Sequence, residues 1–303
     1  MGHCAIIHVA MGRPLVVCIL LGLCASLVAC RPAEEAAGAP GVAIHNVGSD
    51  TMVNLALAWA EAYQARYPDA RIAVTGGGSG TGIAGLINGT VDVANASRSM
   101  KPEEVDEAKA NGITPVEHTV ARDAITVVVH PSNPVDRLTL PQLSDIFSGR
   151  FTNWSEVGGE ERPIVLLSRE SNSGTHVYFL EQVVRLGDKN ARTLFSPDTL
   201  LMASSEGISA EVRQNPNSIG YDGLGYVTAD QKAIAVAAGP SGPYVLPTIE
   251  SVNSGEYPIA RDLYMYTAGE PQGVIADYLA WILSPDGQVI VRRLGFVPLG
   301  AGR

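Results

Sequence analysis

Apolar and aromatic positions recur every fourth residue at Leu55, Trp59, Tyr63 and Tyr67, and this spacing predicts a helix that Pro68 and Asp69 end. A short apolar run at 42–46 precedes it, and Ile72 and Val74 alternate with polar neighbours after it; both read as strands. Residues 83–88 read as a short helix and 92–96 as a third strand, so the first third of the chain alternates β and α without an internal repeat. That order predicts an α/β domain with a largely parallel sheet. Residues 124–130 form a nearly continuous apolar run, suited to a strand buried on both faces, which Pro131 and Pro134 close. A second α/β set follows in the runs 140–147, 163–167, 177–186, 219–227 and 233–237. Residues 259–266 predict a strand leading back to the first lobe, and a helix through Val274, Tyr278, Leu279 and Ile282 comes before a last segment at 295–299. Two strands joining two α/β lobes make a cleft, the natural place for a ligand.

The amino terminus has a different pattern. Residues 15–29 are uncharged and mostly apolar, with Arg13 before them and Cys30 after them, as in the apolar region of a signal peptide. The run is shorter than the roughly 18 residues that a membrane helix needs. Leu27-Val28-Ala29-Cys30 resembles a bacterial lipobox, in which a small residue precedes the cysteine that is acylated. The expectation is a lipoprotein signal peptide at 1–29 and a lipidated tether at 30–41, rich in Ala, Gly and Pro. The folded part would then be extracytoplasmic and lipid-anchored to a bacterial membrane. Met11 opens a more conventional signal than Met1, so either methionine can be the start. All four cysteines, Cys4, Cys18, Cys24 and Cys30, lie at or before the lipobox, so the exported part has no second thiol for an internal disulfide.

Charge narrows the partners. The chain carries 21 Lys and Arg against 31 Asp and Glu; removing Arg13 with the signal leaves 20 against 31, a net −11. Such a balance argues against nucleic acid, whose backbone is bound by basic patches. It leaves room for a small anion held by backbone N–H groups and one or two placed cations.

Three turns rich in Ser, Thr and Gly stand where a strand gives way to a helix: Gly48-Ser49-Asp50-Thr51, Gly78-Ser79-Gly80-Thr81 and Ser171-Asn172-Ser173-Gly174-Thr175. One such turn is ordinarily a helix cap. Three in the same context point to a shared anion site, since free N–H groups at helix starts face the space beyond the sheet. Arg169, just before the third turn, can meet two anion oxygens as a fork or form a surface salt bridge. The glycine-rich 76–82 lacks the Lys of a nucleotide-binding loop. No GxSxG elbow occurs, and His176 stands three residues from Ser173 on one helix, a poor relay, so catalytic residues are not expected. His45, His118 and His130 read as structural or exposed, and no motif calls for a metal or a cofactor.

The segments GSDT at 48–51, GGGSGTG at 76–82, GTVDVANASR at 89–98, IFSGRFTNW at 146–154, SRESNSGTHVYF at 168–179, NSIGYDGLGY at 217–226 and GFVP at 295–298 occur in one order along the mature chain. Together they resemble the PstS-like phosphate-binding proteins of bacterial ABC-type phosphate importers. The resemblance implies a type II periplasmic binding protein fold, α/β and two-lobed, with a central anion-binding cleft. Lobe 1 would span 42–123 plus about 262–303, and lobe 2 about 124–261 including the crossing segments. It further implies a monomer that binds inorganic phosphate and delivers it to an ABC-type permease. Ser49, Asp50, Thr51 and the Met52 amide fall in the family's first contact segment, Ser79 and Gly80 in the second, and Arg169, Ser173, Gly174 and Thr175 in the third.

One segment departs from the family. Its best-studied branch has an aspartate after an Ala-Ser pair, where it accepts the ligand's proton, whereas here Ala96-Ser97 is followed by Arg98. Ser97 or Arg98 therefore stands where a carboxylate would separate phosphate from sulfate. Asp50 either takes over as acceptor or caps the helix of Thr51. Binding or sensing of another tetrahedral oxyanion is the alternative within the same fold; an extracellular phosphatase or an adhesive surface protein are the alternatives outside it.

Overall fold

The computed structural model describes residues 43–300, so the signal read at 1–29, the lipobox Cys30, the tether to residue 41 and positions 301–303 lie outside the described residues. In chain order the first elements are β1 (Ala43–Gly48), α1 (Asp50–Arg66), β2 (Arg71–Thr75), α2 (Ser79–Ile87), β3 (Val93–Ala96), α3 (Pro102–Ala110) and β4 (Pro115–Val129). Next come β5 (Arg137–Thr139), α4 (Leu140–Phe147), β6 (Val165–Arg169), α5 (Gly174–Phe179), β7 (Leu200–Met202), α6 (Ser205–Gln214) and β8 (Ser218–Gly223). The last are β9 (Lys232–Ala233), β10 (Ala235–Ala237), α7 (Ile249–Asn253), β11 (Ala260–Ala268), α8 (Gly273–Leu283) and α9 (Pro285–Arg293).

α1 forms on the spacing that predicts it. Leu55, Trp59 and Tyr63 are buried along one side together with Met52 and Ala56, and each fully buried side chain of this size contributes roughly 1.5–3 kcal/mol. Trp59 also donates its indole N–H to the Gly287 carbonyl at 2.9 Å, which pins α1 to the start of α9. Tyr67, the fourth residue of the series, is the C-cap.

The main sheet runs β2-β1-β3-β11-β4-β8-β6-β7. β1 pairs parallel with β2 and β3, and β6 pairs parallel with β7 and β8. The middle departs from the largely parallel sheet expected: β11 is antiparallel to β3 and β4, and β4 to β8. The reason is topological, because a chain that leaves one lobe and later returns must run the two crossing strands in opposite directions. They pair from Ala260 against Ala124 to Ala268 against Pro115, with a register shift between Leu263 and Tyr264.

β4 is much longer than the apolar run at 124–130 predicts. Its first half includes Glu117, His118, Arg122 and Asp123, and partial burial there leaves no clean apolar period to read. On the near side of the crossing, Ile44, Leu55, Trp59, Leu263, Tyr278 and Ile282 share one core, and Ile83, Leu86, Ala94 and Ala96 fill the layer under α2. On the far side Ile125, Leu143, Phe147, Phe179, Val183 and Tyr221 build the other. Tyr226 crosses into the first core and Val297 into the second, which stitches the two halves near the hinge.

The run at 177–186 divides into α5 and a π-helical turn, Leu180–Val184. Leu186 and Gly187, with φ of 53° and 76°, turn the chain out of it. Phe179 stacks on Tyr221 with ring centroids 3.7 Å apart, so α5 is fixed against β8 from below while its first residues face the cleft.

Candidate functional site

The first two turns reach the cleft from one lobe and the third from the other. Thr51, second residue of α1, is buried and its Oγ1 lies 2.7 Å from Thr175 Oγ1 on α5. Ser79, first residue of α2, accepts from the Ser97 backbone N–H at 3.0 Å and lies 3.3 Å, oxygen to oxygen, from the Ser97 hydroxyl. Gly174 closes the group. A Cβ there would stand 2.3 Å from Ser79 Oγ and 2.6 Å from Ser97 Oγ, so only glycine allows α5 this close to the opposite turn. Gly80 N–H donates to the Asn172 carbonyl at 3.0 Å, and the Asn172 amide donates to the Gly77 carbonyl at 2.8 Å, tying the second turn to the third. Thr51, Ser79, Gly80, Ser97, Gly174 and Thr175 are thus brought together. α1, α2 and α5 start beside these hydroxyls, where the first N–H groups of a helix have no partner one turn back, although the Gly80 N–H is already taken by the Asn172 carbonyl.

The other expected site residues do different things. Met52 buries its side chain in the core, and its amide donates to the Ser49 carbonyl at 3.0 Å. Ser49 has a buried hydroxyl with no protein partner. Ser173 caps α5, accepting from the His176 N–H at a long 3.5 Å. Arg98 turns away from the cleft: its guanidinium makes a two-pronged bond to Glu104 at 2.7 and 2.6 Å. Burial opposes ionisation of Glu104, yet the Arg98 hydrogen bonds and charge hold its carboxyl below the ordinary value. Arg98 is therefore not placed as a cleft donor; a glutamate one turn into α3 captured it, a partner that the turn motif alone does not reveal.

Arg169 is buried, as its position at the end of β6 requires, but it is not an open fork. Its Nε donates to the Met202 carbonyl at 3.2 Å, Nη1 to Ser205 Oγ at 3.0 Å and Nη2 to the Ala203 carbonyl at 2.9 Å. Nη2 also stands 3.1 Å from Asp50 Oδ2, which leaves one N–H on Nη1 in place of the bidentate pair read from sequence. Of the two roles open to Asp50, a cap of its own helix is not the one seen: its Oδ2 accepts from the Ser205 N–H at 2.9 Å, across the cleft. Asp222, in the same wall, is fully buried. Burial pushes its carboxyl up to about 7, against the pull of Ser205 and Arg169 and with a small push from Asp123.

Two residues of the floor were not read from sequence. Asp123 on β4 and Arg261 on β11 face each other in the strand register. Arg261 Nη2 and Nε stand 2.9 and 3.3 Å from Asp123 Oδ2, both side chains are buried, and Asp123 Oδ1 accepts from the Leu224 N–H at 3.1 Å. The available signal was a charge at the edge of one apolar run and a second inside another. Beside this pair a cavity of about 400 Å³ opens between Arg98, Tyr178, Arg261, Asp262 and Tyr264.

The chemistry of the cluster is that of hydrogen-bond donation. Among the described residues no histidine is bonded to the hydroxyls of Ser79, Ser97 or Ser173: His176 directs Nδ1 to Ser168 Oγ at 3.1 Å, away from Ser173. Burial lowers its imidazole pKa.

A family model described as a PBP superfamily domain matches residues 34–286. The phosphate-binding protein PstS of Pseudomonas aeruginosa is 33% identical over 302 residues, covering 93% of this chain and 91% of that protein. PstS of Bacillus subtilis is 32% identical, covering 83% of this chain and 79% of its own length. Among solved structures, a phosphate ABC transporter substrate-binding protein from Clostridium perfringens, crystallised with bound phosphate, superposes with a TM-score of 0.76. It is 31% identical over 85% of this chain and all of its own.

Proposed function

The chain belongs to the PstS family of phosphate-binding proteins within the PBP superfamily, and from that premise we propose that it captures inorganic phosphate outside the cytoplasm and delivers it, chemically unchanged, to an ABC-type permease. The observation that carries the reading is the meeting of Thr51, Ser79, Ser97, Gly174 and Thr175 from both sides of the cleft. Hydroxyls, helix starts and the remaining N–H of Arg169 offer a tetrahedral oxyanion many donors at once. The lipobox at 27–30 supports a lipid anchor at Cys30, with residues 30–41 as the tether. Capture and release require no covalent step, which fits serine hydroxyls that, among the described residues, have no histidine bonded to them.

The test is calorimetric titration of phosphate-free protein with phosphate, sulfate and molybdate. One phosphate per chain is expected. Absence of phosphate binding under conditions where the protein is folded would sink the reading. Sulfate is the informative competitor, because Ser97 and Arg98 stand where the family's best-studied branch carries a carboxylate. Equal affinity for both anions would favour a general tetrahedral-oxyanion receptor.

A further inference from the structure

The return strand β11 carries a buried cation that serves both halves of the cluster. Arg261 Nη2 donates to Thr175 Oγ1 at 2.9 Å, and Thr175 Oγ1 is 2.7 Å from Thr51 Oγ1. A guanidinium can only donate, so the Thr175 oxygen receives there. The two threonine hydroxyls own two protons and share one hydrogen bond. Whichever of them donates inside the pair, one O–H is left to face an outside acceptor.

The second half follows the same logic. Arg261 Nη1 donates to the Ser97 carbonyl at 2.9 Å, and the Ser97 N–H donates to Ser79 Oγ at 3.0 Å. Ser79 Oγ thereby receives from the backbone, and of the Ser79 and Ser97 hydroxyls, 3.3 Å apart, one O–H is left to give whichever of the two donates. Asp123 fixes the guanidinium through Oδ2, and the Leu224 N–H fixes Asp123 in turn.

We infer that Arg261, held by Asp123 across the crossing strands, is a positioning residue of the anion site: it occupies one acceptor position of Thr175 Oγ1, which holds the Thr175–Thr51 hydroxyl pair in place, and it anchors the Ser97 turn, so that the ligand meets O–H groups already oriented. The inference rests on the phosphate-binding reading above. Most of its effect on affinity passes through Thr175, which distinguishes it from a residue that only holds the crossing strands together.

The experiment measures phosphate affinity calorimetrically for the full chain in detergent, alongside circular dichroism and melting curves. Removing one partner alone would orphan a buried charge, so Arg261→Met is combined with Asp123→Asn. This folded double variant is expected to bind phosphate about tenfold more weakly, the loss of one charge-assisted hydrogen bond. Arg261→Lys keeps the charge without the fork and is expected to fall between the two. In a Thr175→Val background the double substitution should add less than about a threefold loss, because the hydroxyl through which most of its effect passes is gone and only the arm to the Ser97 carbonyl remains. Wild-type affinity in the folded double variant overturns the inference, as does a loss that multiplies fully with that of Thr175→Val. If the double variant does not fold, Arg261→Lys decides: wild-type affinity there overturns the inference, and a loss that largely disappears when Arg261→Lys is made in the Thr175→Val background supports it. A wild-type chain silent to phosphate overturns the function and the inference together, whereas a phosphate-binding chain indifferent to Arg261 overturns the inference alone.

Discussion

Gly174 is the residue on which the two halves of the site approach each other most closely. Its missing side chain is the space occupied by Ser79 Oγ and, nearby, Ser97 Oγ. Neither neighbour is the far end of a flexible chain, since both serines are short and buried. Gly174→Ala should therefore hold α5 away from α2 rather than unfold either. Overpacking of this kind commonly costs about 1–3 kcal/mol, and phosphate binding is expected to weaken about tenfold or more with little change in melting temperature. Calorimetry and a melt on the same preparation check it; unaltered affinity would mean that the halves need not meet this closely to bind. The turns themselves were legible in sequence because three of them share one strand-to-helix context, where a single one reads as an ordinary cap. The partners of Arg98 and Arg169 were not: Arg98 takes Glu104, six residues on, among several nearby carboxylates, and Arg169 takes groups 33 to 36 residues away that only the packing of β6 against β7 and α6 brings near.

Elements were legible where several large apolar residues mark one face, as in α1, and where burial is complete, as in the second half of β4; α6, whose buried side has only Ile208 and Val212 as large apolar residues, was not read. They were illegible where burial is partial, as in the first half of β4, and where charges are neutralised inside the sheet. Asp123 and Arg261 are 138 positions apart, and only the register of β4 on β11 makes them a pair. β8 carries a related cryptic charge. The Asp222 carboxyl, raised by burial from 3.8 to about 7, stays protonated in the fold through a window in which the unfolded chain has already ionised it. The folded state binds more protons there, so stability falls as pH rises from about 4 to about 7. Asp222→Asn should remove this contribution and flatten the dependence. Melting temperatures of both proteins at pH 5 and pH 8 test it: the wild type should lose more on going to pH 8, and parallel losses would remove Asp222 as the cause.

At the scale of the molecule, the two-lobed α/β architecture was legible from the order of patterns and from the family resemblance, and the mixed direction of the central sheet follows from the return crossing. Anchoring belongs to this scale too, because it decides where the whole cleft operates. If Cys30 is the acylated residue, a radiolabelled fatty acid should enter the wild-type chain and not Cys30→Ala, which should also accumulate as unprocessed precursor. Label retained by Cys30→Ala would point to another attachment. The paired crossing strands have a mechanical consequence as well. For any rotation about that strip, Asp123 and Arg261 sit on the axle, while Asn54 with Glu206 and Asn172 with Gly77 lie out along the jaws. Displacement grows with distance from the axle, so the inner contacts can persist through a stroke that breaks the outer ones. The axle would then hold the floor in shape while the cleft is open, and the jaw contacts would govern how long a captured ion stays.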